Sequence, residues 1–306
     1  MKTKYLRKIW DVISKRAITF YLIIFILSHW LIDYEKVSAH ARGAALSRLM
    51  PSFDYLHNLA AGFEELDVKK LEEYEYYYAK VVEFVPRAEA FGILGYIYFQ
   101  LGKDKKALPC FQTAIVLNPS AFSFYYNLGI IYFRRQFYGE AIEAFKKAVA
   151  TSIDDNLSFI TSSKMYYPFL DPSDDMAHQL KSYLRKSFRN AYRLMIISSL
   201  YLKDYQQLLR WASEAIASAL DDNKDFYYYA GLASFHIKDY KQAGAFLKEY
   251  VTANPGDGDG MYYLGLTLKA LGEDSGAGKV LQKAELLHNK KSSIIDKDSM
   301  ISLNIF

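Results

Sequence analysis

Six histidines, His29, His40, His57, His178, His236 and His288, are the residues of this chain best suited to moving protons or ligating a metal. They are scattered, and no two stand at a metal-ligand spacing. The single cysteine, Cys110, excludes an intrachain disulfide and a thiolate-rich metal site. It lies beside Phe111 on an apolar face and reads as a small core residue. "GDGDG" at 256–260 offers oxygen ligands, but the glutamate that closes a calcium loop is missing and Glu273 lies too far on. The segment reads as a loop entering a helix. Carboxylate pairs such as Glu72 and Glu73 are adjacent, so on a helix they diverge instead of sharing a site. There is no phosphate-binding glycine loop, dinucleotide fingerprint or nucleophile elbow. The expectation is no catalytic residue, no metal and no cofactor. The competing reading, an enzyme whose site is built in the irregular stretch 156–189, requires converging titratable groups that the sequence does not assemble.

The other residues with chemistry to offer are aromatic. The chain has 27 tyrosines and 20 phenylalanines in 306 residues, with only 7 prolines. "YYNLGIIYFRRQFYGEAIEAFKKA" at 125–148 shows how they are placed. Leu128, Gly129 and Tyr132 are three and four apart and share one face of a helix, and Ala141, Phe145 and Ala148 share a face of a second. The pattern recurs. Gly95, Gly129, Gly231 and Gly265 are spaced by 34, 102 and 34 residues, and Ala107, Ala141, Ala243 and Ala277 keep the same steps. So do Phe111, Phe145, Leu247 and Leu281. Several columns holding one period identify an internal repeat.

These units resemble tetratricopeptide repeats, whose 34-residue period and Leu-Gly…Tyr…Ala…Phe…Pro pattern they share. The match is clear at 88–121, 122–155, 224–257 and 258–291. Degenerate units are expected at about 55–87, 156–189 and 190–223, the last as a weaker copy slipped by one residue. Pro168 and Pro172 forbid an ordinary first helix in 156–189, while Asp171 or Ser173 could cap a second. Gly102 and Gly272 stand where a first helix must stop and turn, and Pro119 and Pro255 precede a next helix. Small residues allow two helices to approach while a large side chain fills the space beside them. One hairpin cannot bury both its faces, so neighbours must stack. The expected fold is all-α: a right-handed superhelical solenoid of antiparallel helix hairpins over 55–291, with a tail at 292–306.

A second stripe on each first helix is left for function. It comprises Gly92, Tyr96, Phe99 and Gln100; then Tyr126, Ile130, Phe133 and Arg134; then Tyr228, Leu232, Phe235 and His236; then Tyr262, Leu266 and Lys269. Arg193 joins it from the weak copy. The resemblance implies that this stripe lines a concave groove holding a protein or peptide. Aromatic anchors beside cations suit a binding hot spot. The partner-binding candidates are Tyr96, Phe99, Tyr126, Phe133, Arg134, Arg193, Tyr228, His236, Tyr262 and Lys269. For Phe99, Phe133 and Phe235, packing between repeats is the equal alternative. Some members of the family clamp a partner's C-terminal carboxylate with lysine and asparagine. Asn127 stands at a matching place, but Gly92 and Tyr96 replace the other clamp residues, so that activity is not carried over.

The amino terminus is of another kind. Lys2, Lys4, Arg7, Lys8, Lys15 and Arg16 precede a charge-free run, Ala17–Ile32, with Trp30 and Tyr34 at its far end. As a helix the run covers about 24 Å, short but feasible against a hydrocarbon core of about 30 Å. The expectation is a basic cytoplasmic segment at 1–16, a transmembrane signal-anchor helix at 17–34 that enters the lipid bilayer through residues 17–32, a linker at 35–54, and repeats on the extracytoplasmic side. A signal peptide cleaved near "VSA" at 37–39 and a buried soluble helix are the competing readings. The net charge of +4 is mild and shows no concentrated basic face, so no nucleic-acid partner is expected. The oligomeric state is not legible in the sequence.

Overall fold

In the computed structural model, residues 66–163, 174–218, 220 and 224–288 are described. The expected anchor at 17–32, the linker at 35–54 and the tail at 292–306 lie outside these residues. Among the described residues no helix is long and apolar enough to cross a membrane, and every regular element is an α-helix.

The repeats form as hairpins. Helix α1 (Val68–Phe84) precedes the pair α2 (Ala88–Gln100) and α3 (Asp104–Leu117), and the pair α4 (Phe122–Arg134) and α5 (Tyr138–Val149) follows. Then come α6 (Ile153–Ser162), α7 (Asp174–Tyr201) and α8 (Tyr205–Ala217). The pairs α9 (Lys224–His236) with α10 (Tyr240–Ala253) and α11 (Gly258–Ala270) with α12 (Asp274–His288) complete the stack. Aspartates start four of these helices: Asp67, Asp204, Asp239 and Asp257 accept hydrogen bonds from otherwise orphaned amides of α1, α8, α10 and α11.

The glycine column explains how each hairpin closes. A Cβ on Gly129 would sit 2.6 Å from the Phe145 ring, and one on Gly95 would sit 3.0 Å from Phe111. Gly231 and Gly265 face Leu247 and Leu281 at 2.5 and 2.6 Å in the same way. The column residue of the second helix thus lies over the glycine of the first, and both are buried except Leu281, which is half-buried. Each hairpin turn has one residue of positive φ: Gly102, Gln136, Lys203, Lys238 and Gly272. These turn residues are spaced by 34, 67, 35 and 34, so the hairpin of α7 and α8 is set back by one residue.

The stretch 156–189 does not enter the stack as a hairpin of its own. Its described residues fall in and just after α6 and in the first half of α7, a single helix of 28 residues and about 42 Å. No glycine or proline interrupts 174–201, so nothing separates the second helix expected for 156–189 from the first helix of the next unit. The second half of α7 takes the place of a first helix directly beside α4 and α5. Phe188 stacks on Phe122 at 4.2 Å, and Tyr201 stacks on Tyr138 at 4.7 Å.

Candidate partner-binding face

The first helices α2, α4, α9 and α11, together with the second half of α7 from residue 189, carry the stripe proposed for binding. Their second residues are Glu89, Ser123, Asn190, Asp225 and Asp259, and their fifth residues are Gly92, Tyr126, Arg193, Tyr228 and Tyr262. The structure brings fifth residues against second residues of the following hairpin. Asn190 Nδ2 donates to the Tyr126 hydroxyl at 2.6 Å. Arg193 pairs with Asp225, whose other oxygen lies 2.8 Å from Arg189 Nη2. Burial, reinforced by the nearby Asp259 carboxylate, pushes the Tyr228 hydroxyl pKa well above its usual value. Burial does the same to Tyr126, partly offset by its bond from Asn190.

These contacts correct the groove assignment. Tyr126 is 0% exposed and Tyr228 7%, and Tyr96 and Phe99 are likewise interior. Their rings fill the joints between hairpins, and for Tyr126 the hydroxyl finds a buried polar partner, the usual solution for an enclosed tyrosine. Arg193 is held in an ion pair and is not a free cation facing a groove. Phe133 is half-buried among Tyr138 and Tyr201, and Phe235 among Tyr240 and Tyr263, so both serve packing between repeats.

The stripe opens towards the C-terminal ends of the first helices and, in α11, also at its fifth residue, Tyr262. Arg134 is exposed, with its guanidinium 4.7 Å from the centre of the Phe99 ring, a cation–π geometry that fixes its direction. His236 is exposed and lies flat on Tyr205, ring centres 4.1 Å apart and planes 12° apart. Burial lowers the His236 pKa from 6.5, so near neutral pH it is a polar ring and not a cation. Lys269 is exposed, and Tyr262 is 43% exposed beside Tyr263. Tyr201, also 43% exposed, was not among the sequence candidates. Its signal was available, because Phe99, Phe133, Tyr201 and Phe235 form a column with steps of 34, 68 and 34. The result is a rim of exposed aromatic and cationic side chains over a buried aromatic layer, a surface able to anchor another chain through rings and charge-assisted hydrogen bonds.

Among the described residues, no three histidine, cysteine or carboxylate side chains gather as a metal site. Burial pushes the Cys110 thiol up to about 11, which keeps it protonated and poorly nucleophilic at neutral pH.

Comparison with known families agrees with the repeat pattern. Residues 95–136 match a TPR repeat model, and residues 122–154 and 203–258 match tetratricopeptide repeat models. No curated protein matches the chain. Among solved structures the chain is similar to YrrB, described as a TPR protein with an unusual peptide-binding site. The identity is 17%, covering 74% of this chain and 95% of that one, with a TM-score of 0.49. It is similar to MamA from Desulfovibrio magneticus RS-1, residues 41 to the end, at 16% identity over 67% and 97% of the two chains, TM-score 0.46. BtubC from P. vanneervenii is similar at 15% identity over 75% and 96%, also with a TM-score of 0.46. This chain, helical in every regular element among its described residues, carries tetratricopeptide repeats, matched over 95–154 and 203–258.

Proposed function

We propose that this chain is a membrane-anchored scaffold that binds a partner protein or peptide along the rim formed by Arg134, Tyr201, His236, Tyr262 and Lys269. The observation that carries this reading is the exposure of these side chains on a stack whose other stripe residues are used up in packing. Aromatic rings give area at little entropic cost, and Arg134 and Lys269 add donors for carboxylates or backbone carbonyls of the bound segment. The basic flank ending at Lys15 and Arg16, followed by the uncharged run Ala17–Ile32, supports a single-pass anchor with its N-terminus in the cytoplasm. The repeats then face the extracytoplasmic side and recruit or assemble an envelope or membrane complex. No catalytic role enters this reading.

Two measurements test it. Carbonate-washed membranes should retain the full chain, and protease added from the extracytoplasmic side should digest the repeats. A soluble product starting near His40 overturns the anchor. The binding face is tested by cross-linking partners to the wild-type chain and to Arg134→Glu and Lys269→Glu variants. Charge reversal should weaken the principal complex at least tenfold, whereas an unchanged complex removes the rim from the binding face.

A further inference from the structure

Helix α6 lies across the first turns of α4 and α2, and it meets them in register. Asn156, Phe159 and Ser163 are spaced by three and four residues, so they share one side of the segment. The Asn156 Oδ1 accepts from the Phe122 backbone N–H at 2.6 Å, capping α4, whose own N-cap residue Ala121 offers no side-chain acceptor. The Phe159 ring meets the Phe124 ring edge-on at 6.2 Å. The Ser163 hydroxyl donates to Glu89 Oε1 at 3.0 Å. The receiving surface is thus a backbone donor, a ring and a carboxylate in a row. Gly92 belongs to this surface too, because a Cβ there would lie 2.2 Å from the Phe124 ring and displace it.

The hold on α6 is light compared with that on the stack. Of its ten residues only Asn156 is fully buried, whereas α2 and α4 each bury nine. A helix of this length does not persist alone in water, and the exposed ion pair of Lys181 with Asp154 adds little. Such an element opens locally long before the hairpins do.

We propose that α6 is an internal ligand: it occupies a docking site on the first turns of α4 and α2, and a partner helix bearing an amide side chain with an aromatic three residues later displaces it. This goes beyond the rim assigned above and stands independently of it, since the site is defined by the chain's own segment. Displacement leaves the stack folded, because the buried layer beneath is held by contacts between hairpins.

Hydrogen exchange of the full chain and titration with a synthetic peptide of residues 152–163 test the proposal. Amides of 157–162 should exchange at least 100-fold faster than those in the middle of α4 and α5. In an Asn156→Ala/Phe159→Ala chain, α6 should lose protection while α2–α5 keep theirs. That variant should bind the peptide at least tenfold more tightly than the wild-type chain, and a Glu89→Gln change added to it should weaken the peptide. Equal protection of α6 and α4, loss of protection throughout α2–α5 in the double variant, or no peptide binding to it each overturns the proposal.

Discussion

At the scale of single residues, backbone and side-chain space decide what each position tolerates. Gln136, Lys203 and Lys238 hold positive φ values of 62°, 56° and 67°, where an ordinary residue loses about 1–2 kcal/mol relative to right-handed helix. Gln136→Gly should therefore leave stability unchanged or raised, and Gln136→Val should lower it by about 1–2 kcal/mol, as read by denaturant unfolding. Gly129→Ala should be destabilising because of the Phe145 ring, while Gly139→Ala meets open space in α5 and should gain about 0.4–1 kcal/mol. His236 sets a pH effect. Its folded pKa is depressed by burial, so its contribution to stability is complete above 6.5 and declines as pH falls through the folded value. The His236→Phe chain should lose less stability than wild type between about pH 7.5 and pH 5. The close approach of Gly129 to Phe145 was legible from spacing alone. The burial of Tyr126 and Tyr228 was not, because their polar neighbours Asn190 and Asp259 belong to the following hairpin and only a column comparison across units pairs them.

At the scale of elements, α7 departs most from a regular repeat. The sequence marks 156–189 as irregular through Pro168 and Pro172, yet α7 runs on as one helix because 174–201 contains no residue that stops it. The one-residue setback at Lys203 was visible only as a misfit in the weak copy, and the turn geometry is what locates it. Pro109 within α3 is the opposite case, a breaker tolerated inside a helix. It removes one backbone hydrogen bond and crowds the preceding turn, so Pro109→Ala should stabilise the chain by up to about 3 kcal/mol, measurable as a shift in denaturation midpoint.

At the scale of the whole stack, each hairpin touches chiefly its neighbours, so damage stays local. Phe145→Ala opens a cavity expected to cost roughly 3–5 kcal/mol. Exchange should accelerate in α4, α5 and α7 while α11 and α12 are little changed, and uniform acceleration would show instead that the stack unfolds as one unit. The joints between hairpins are also not interchangeable. Tyr126 meets Asn190, Arg193 meets Asp225, and Tyr228 lies near Asp259. A chain rebuilt with the α7–α8 and α9–α10 hairpins exchanged in order would set the Arg193 guanidinium beside Asp259 and the Tyr126 hydroxyl beside Asp225, while Tyr228 would fall against Asn190. Tyr126 would then meet a carboxylate in place of an amide and Tyr228 an amide in place of a carboxylate, while Arg193 and Arg189 would exchange Asp225 for Asp259. The units look like copies, but each joint carries its own polar pair, so shuffling the hairpins would leave no joint with the pair it has now.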